Sequence, residues 1–136
     1  MGASNGFGKP AASEGSEVVG VDVHVVLVPS PGGPVPTPTP MAFSGKLADG
    51  LCDEVAVDDK RIAVLGSGAH NSPGHVAPNG TFQRPPANHG KVSGGSATVF
   101  AGNRPVARAG DPATTCNDPS DAPKARLVAS GTVFVG

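Results

Sequence analysis

The chain has 136 residues and a formal net charge of −1, with 10 Lys and Arg against 11 Asp and Glu. This length predicts one domain, and the balanced charge, which includes no basic block, argues against a nucleic-acid or anionic-membrane partner. The 20 Gly and 15 Pro, with five Phe and no Trp or Tyr, leave a thin core of Val, Ala and Leu. Such a core needs support from disulfides, a bound metal or oligomerisation.

Residues 1–17 are small and polar, and we predict either a flexible N-terminal arm or a segment that orders only against a partner, followed by one domain over residues 18–136. The N-terminus has no charged n-region and no apolar h-region, so we expect a protein made in the cytoplasm without a signal peptide. In that compartment a disulfide between Cys52 and Cys116 is disfavoured and metal ligation is favoured. No apolar run approaches the length of a membrane span.

Residues 18–28 form the most apolar run and predict a strand. Successive side chains point to opposite faces of a strand, so Asp22 and His24 share one face. The residues alone leave two possibilities for His24, a solvent-facing position or part of a site. Residues 29–40 are proline-rich and cannot donate a full ladder of hydrogen bonds, which predicts an extended, polyproline-like run across the surface.

Internal repeats follow. Residues 55–66 match residues 99–110, and each copy predicts two short strands around a tight turn. A third copy opens at the C-terminus, where residues 130–136 repeat residues 96–102 and the sequence stops. These two and a half hairpins predict an all-β fold with a pseudo-threefold arrangement.

A long irregular loop lies between the first two hairpin copies and carries three of the four histidines, His70, His75 and His89. A long loop in a small domain is usually functional or disordered, and the histidines favour function. Cys52 precedes the first copy, where we expect a small buried residue rather than a metal ligand.

Several motifs together resemble the PAAR-repeat family. Pro105-Val-Ala-Arg108, with Ala-Gly-Asp111 after it, is similar to the Pro-Ala-Ala-Arg motif that names the family. The wider resemblance is to the PAAR-like, DUF4150-type branch and covers about residues 18–136. Its further motifs are Asp22-Val-His24, Gly33-Pro-Val-Pro-Thr-Pro38, Asn71-Ser-Pro-Gly-His75, Phe82-Gln-Arg-Pro-Pro-Ala-Asn88 and Thr115-Cys-Asn-Asp118.

The resemblance implies a small β-rich cone that caps the blunt end of a trimeric β-helical spike (VgrG-like), with one tip per trimer. Such tips belong to type VI secretion systems, related phage tails and extracellular contractile injection systems. The tip would sharpen the spike, help it pierce a target membrane that it contacts only transiently, and leave the cell with the injection particle. Any effector cargo would bind elsewhere or through residues 1–17. We expect docking through the repeat strands, at Val55, Val57, Val99, Val133 and Phe134.

The resemblance also implies a zinc ion near the apex of the cone, held by histidines and one cysteine. Three residues match the family's ligands: His24, His75 and Cys116. Relatives often carry a further histidine where this chain has Met41, and a thioether is a poor ligand for Zn²⁺. For the fourth position we rank His89 first, water second and His70 third.

The alternative function is a small zinc-dependent hydrolase, because two histidines, a cysteine and water would form an open catalytic site. Asp22 or Asp111 would then serve as general base, although Asp22 is equally suited to orient the imidazole of His24. A third hypothesis is a proline-rich adaptor that binds partners through residues 29–40. A closed four-ligand site would favour the structural, non-enzymatic role.

Overall fold

The computed structural model describes residues 8–136. Over this range the chain is all-β, as predicted, and no helix long and apolar enough to cross a membrane is found. The strands are β1 (Lys9–Pro10), β2 (Glu17–Val28), β3 (Val35–Asp49), β4 (Cys52–Val57), β5 (Lys60–Ile62), β6 (Gly68–His70), β7 (Thr81–Phe82), β8 (His89–Val92), β9 (Phe100–Ala101), β10 (Arg104–Pro105), β11 (Pro112–Thr115), β12 (Ala122–Val128) and β13 (Phe134–Val135).

The largest sheet closes on itself. Its strand order is β12-β11-β8-β6-β3-β2-β7, every pairing is antiparallel, and β12 also pairs with β2. The six strands from β12 to β2 therefore form a small barrel, with β7 added beside β2. Closure removes the exposed edges that an open sheet of this size would carry. The barrel interior holds the main apolar cluster, in which Phe43, Leu47 and Leu127 are the largest buried side chains.

The second half of the proline-rich run, residues 35–40, belongs to β3, and residues 29–34 form the turn region before it; this corrects the prediction of a polyproline-like segment. β3 pairs with β2 over its whole first half, from Val28↔Val35 onward. Its other neighbour, β6, is reached only at Leu47 and Asp49, so the proline-rich half has an open edge on that side. Prolines alternate with threonines there, and proline has no backbone N–H to donate. Because alternate residues of a strand point their N–H groups to the same side, all of these positions can face the open edge, where no bond is lost.

Three short two-stranded units, which we call hairpins, form a second, smaller part of the structure. Two were predicted from the repeats, β4–β5 and β9–β10. The third pairs β13 with β1, with Val135 opposite Lys9, so it joins the C-terminal half-copy to the N-terminal segment. The pseudo-threefold arrangement is thus completed by residues that the sequence comparison placed in an arm.

A closed ring of backbone hydrogen bonds joins the three units. Ala63 N–H donates to the carbonyl of Ala12, Ala107 N–H to that of Ala63, and Ala12 N–H to that of Ala107, each at 2.9 Å. All three alanines are fully buried. Only a small side chain fits where three backbones approach one axis, which explains the alanine shared by the three copies.

Each ring alanine leads into the same turn. Three residues further on, Gly15, Gly66 and Gly110 have φ of 90°, 90° and 85°, the left-handed region that favours glycine. The side chain of the residue after each glycine then accepts a hydrogen bond from the backbone N–H three residues before it. The three bonds are Ser13 N–H to Ser16 Oγ, Val64 N–H to Ser67 Oγ and Arg108 N–H to Asp111 Oδ2. In the last copy Arg108 also bonds Asp111 through its guanidinium, at 2.9 and 3.0 Å. Each part of the Pro-Val-Ala-Arg-Ala-Gly-Asp sequence therefore has a structural role. Pro105 ends β10, Ala107 lies in the axial ring, and Arg108 to Asp111 form the capped turn.

The predicted flexible arm is wrong for its described part. Residues 9–10 form β1, Ala11 and Ala12 are buried, and Glu14 makes a bidentate ion pair with Arg61. Residues 1–7 lie outside the described residues. The low apolar content of the segment was misleading because its role at the axis requires alanine, and alanine carries little hydrophobic signal.

Candidate metal centre

Four side chains that can ligate a metal converge inside the barrel: Asp22, His24, His75 and Cys116. Asp22 and His24 occupy alternate positions of β2 and face inward, as the period of two predicts. Cys116 directly follows β11, and His75 lies in the loop between β6 and β7. The structure therefore brings together three of the residues that the sequence assigned to a metal.

His24 is the least satisfied member of the cluster. Its side chain is 2% exposed, and neither ring nitrogen has a hydrogen-bond partner. The nearest acidic group is Asp118, whose Oδ2 lies 3.5 Å from Nδ1. Buried polar atoms are nearly always paired, because an unpaired one costs about 1–3 kcal/mol. A metal bound at one ring nitrogen would satisfy that atom, so the unpaired imidazole fits a ligand role.

The carboxylate of Asp22 is the shared hydrogen-bond acceptor of the cluster. Asp22 is fully buried, and its carboxylate accepts hydrogen bonds from Thr115 Oγ1, from Cys116 Sγ at 3.4 Å and from His75 Nε2 at 2.7 Å. The predicted role of Asp22 as an acceptor that orients His24 is wrong, because its carboxylate contacts His75 and Cys116 instead. It is itself a potential ligand.

The tautomer of His75 follows from its neighbours. Asn71 accepts the N–H of Ser44 through its side-chain carbonyl, at 2.9 Å, so its amide nitrogen faces His75 Nδ1, at 3.2 Å. Nδ1 must then accept, and Nε2 carries the proton donated to Asp22. Asn88 fixes the segment further by accepting the backbone N–H of His75 at 2.9 Å. A metal bound at Nε2 would take the place of this proton.

Cys116 lies in surroundings typical of a ligating thiolate. The backbone N–H groups of His89 and Asn88 favour the thiolate form and act to lower its pKa, and Asn88 has the left-handed φ of 53°. Burial nevertheless raises the pKa of the Cys116 thiol, and the nearby charge of Asp22 raises it further, more than the two N–H groups lower it. Without a metal the thiol stays protonated at neutral pH. Both Cys116 and Cys52 are free and buried, so the two form no disulfide.

His89 does not join this cluster, which corrects the ranking of the fourth ligand. It lies on β8 next to Gly90, whose hydrogen faces inward toward Thr115 and Phe43, so alternation turns the His89 side chain outward. There it contacts Asp49 and His70 instead. The fourth group inside is Asp22, which stands directly opposite Met41 in the β2–β3 register.

The donor set fits a divalent metal of borderline softness. Two imidazoles, one thiol and one carboxylate provide four groups whose candidate atoms all lie within 4.8 Å of one another. Imidazole and thiolate suit Zn²⁺ better than Mg²⁺ or Ca²⁺. Sequence reasoning overlooked Asp22 as a ligand because its proximity to His24 on one strand suggested a supporting role.

The predicted docking residues occupy the three hairpins. Val55, Val99 and Val133 hold equivalent positions and are similarly exposed, at 39%, 38% and 41%. Phe134 is exposed too, and so is its equivalent Phe100, which sequence reasoning did not select. Val57 differs from these, since it is half-buried and packs against the smaller apolar cluster.

The C-terminal part of the chain matches a known family model. The model of the PAAR motif covers residues 83–136, less than half of the chain, and includes the Pro105–Arg108 motif and Cys116. A comparison with curated proteins found no significant match. The axial ring and its capped turns account for the motif's alanine, glycine and aspartate, and the match over residues 83–136 supports a PAAR-repeat protein.

Proposed function

We propose that the protein is the structural tip of a contractile injection apparatus, where one copy caps a trimeric spike. The observation that carries this proposal is the ring of Ala12, Ala63 and Ala107 with its three equivalent hairpins. A single chain can match a threefold partner only if it presents three similar surfaces. The PAAR-motif match supports the same role, because this motif is consistent with a structural spike-tip protein of such machines.

The surface proposed for docking is the apolar part of the hairpins. It consists of the three equivalent valines, Val55, Val99 and Val133, with Phe100 and Phe134 beside two of them. Exposed apolar residues are common singly, but a threefold set on one structural unit indicates a binding surface. The position equivalent to the two phenylalanines is Ala56 in the first hairpin. We therefore expect one of the three contacts to be weaker than the others.

Zinc is the proposed occupant of the interior cluster, held by Asp22, His24, His75 and Cys116. Buried polar residues, including Thr115 and Asn117, surround the cluster. A structural metal there would link β2, the end of β11 and the loop that carries His75, and would stabilise the barrel against mechanical load. Coordination by four protein groups leaves no position for a substrate, which favours the structural role over the hydrolase. Asp111, the other proposed general base, is held by Arg108 in a capped turn.

The proposed place of action follows from this role. The tip would be assembled on its spike, leave the cell with the injection particle and contact the target membrane briefly during puncture. The trimeric spike partner, the puncturing step and any attached effector remain parts of the proposal.

Binding to the trimeric spike of the same apparatus tests the proposal. Val99→Asp places a charge in the docking surface and should weaken spike binding at least tenfold, with the melting temperature unchanged. Val76→Asp is the matched control, since Val76 is 78% exposed in the loop after His75 and away from the hairpins. Equal binding by both variants would refute docking through the hairpins.

A further inference from the structure

A second group of potential metal ligands lies on the outer face of the barrel: Asp49, His70 and His89. His70 on β6 and His89 on β8 are direct cross-strand partners in an antiparallel pair. Directly opposed residues project to the same face with Cβ atoms about 5 Å apart. The two rings accordingly meet edge to face, with centroids 4.6 Å apart.

A β-bulge brings Asp49 to the same face. β3 pairs with β6 at Leu47↔Ala69 and then at Asp49↔Gly68, so one extra residue, Ala48, is accommodated in β3. Leu47 and Ala69 point inward and are buried, so the next pair points outward. Without the bulge, alternation would have left Asp49 on the inner face.

Gly68 provides the space for this group. A Cβ at position 68 would lie 2.8 Å from His89 Nε2 and closer still to the carboxylate of Asp49. Any larger residue would displace one of the two side chains. The absence of a side chain at Gly68 therefore allows the carboxylate and the imidazole to approach each other across the strand between them.

We propose that Asp49, His70 and His89 form a second, solvent-accessible binding site for a divalent transition metal such as Zn²⁺. The Oδ2 atom of Asp49 lies 3.3 Å from His89 Nε2 and 3.7 Å from His70 Nε2. Ligands bound at about 2.1 Å in tetrahedral geometry are separated by about 3.4 Å. Both distances are close to this spacing and wider than the direct contact expected of a short ion pair, and the ligand atoms of all three groups lie within 4.8 Å of one another.

The chemistry of the group selects the class of ion. Two imidazoles favour Zn²⁺, Ni²⁺ or Cu²⁺ over Mg²⁺ and Ca²⁺. The side chains of His70 and Asp49 are 72% and 48% exposed, so water can complete the coordination and the ion can exchange. This site differs from the interior cluster in both position and access, since the side chain of His75 there is 2% exposed.

Titration of the untagged full chain with Zn²⁺ by calorimetry tests the proposal. To isolate the outer site, the Cys116→Ser background is used alongside the wild type, and retention on immobilised Ni²⁺ provides a second measurement if that variant does not fold. We expect an exchangeable Zn²⁺ equivalent in the wild type. His70→Ala and His89→Ala should each weaken it at least tenfold, and Asp49→Asn should weaken it less.

Lys91→Ala is the matched control, because Lys91 is exposed two residues from His89 on the same face of β8. It should bind Zn²⁺ and be retained on Ni²⁺ like the wild type. The proposal is overturned if the histidine variants behave like Lys91→Ala, or if the wild type binds no exchangeable Zn²⁺, in which case the group is only an ion pair. None of these readouts depends on spike binding, so they are independent of the proposed function.

Discussion

Replacement of Asp22 by alanine tests the interior cluster most sharply. The change removes the acceptor used by Thr115 Oγ1, Cys116 Sγ and His75 Nε2, all of them buried. Each buried donor left without an acceptor costs about 1–3 kcal/mol of stability. The variant no longer has to bury a carboxylate, and this gain offsets part of the loss. We expect a net loss of about 3 kcal/mol in the free energy of unfolding. For a chain of this size that lowers the melting temperature by about 10 °C.

The assay is thermal unfolding followed by circular dichroism, first with a chelator and then with one equivalent of Zn²⁺. In chelator the melting temperature depends on the hydrogen-bond network alone. The increase in melting temperature on adding zinc then measures how well the variant binds the metal. Asp121→Ala is the control, since Asp121 is an exposed carboxylate. A melting temperature for Asp22→Ala within about 1 °C of wild type in chelator would refute the network argument. An undiminished stabilisation by zinc in the same variant would refute Asp22 as a ligand.

Three further predictions follow from single positions. Gly20→Ala should cost about 1–3 kcal/mol, because the added Cβ would lie 2.7 Å from the backbone of Ala125, whereas Gly32→Ala, in open space, should be neutral by chemical denaturation. Burial alone would raise the pKa of Asp118, but hydrogen bonds from a backbone N–H and an arginine lower it overall. The contribution of Asp118 to stability is therefore complete above about pH 4 and is lost as the pH falls further. Asp118→Asn should abolish that acid-dependent loss of stability. Since burial raises the pKa of the Cys116 thiol, zinc must displace its proton, and zinc affinity should fall about tenfold per unit as the pH drops from 8 to 6; affinity that is constant over this range would contradict thiolate ligation.

The repeats and the polar face of β2 were accessible from the sequence because both depend on local patterns. Alternation placed Asp22 and His24 on one face, and the copies at residues 55–66 and 99–110 predicted two hairpins. The third hairpin was recognised only by its C-terminal half. Its other half, around Ala12, shares little more than an alanine and a glycine with the other copies, and its partner strand is at the opposite end of the chain.

The assignment of ligands was limited by information that the sequence does not carry. His89 and Cys116 come close through the backbone, but the inward or outward direction of the His89 side chain depends on the register of β8 against β6 and β11. A shift of one residue would have reversed it. The bulge that places Asp49 beside His89 could not be predicted either, because a bulge is defined only by how β3 pairs with β6.

The stoichiometry of the complex with the trimeric spike tests the central claim most directly. The three-unit ring of Ala12, Ala63 and Ala107 predicts that one chain caps one trimer. Native mass spectrometry of the mixed proteins should therefore give a single complex with three spike chains and one copy of this protein. Three copies per trimer, or no complex at saturating concentrations, would contradict the account.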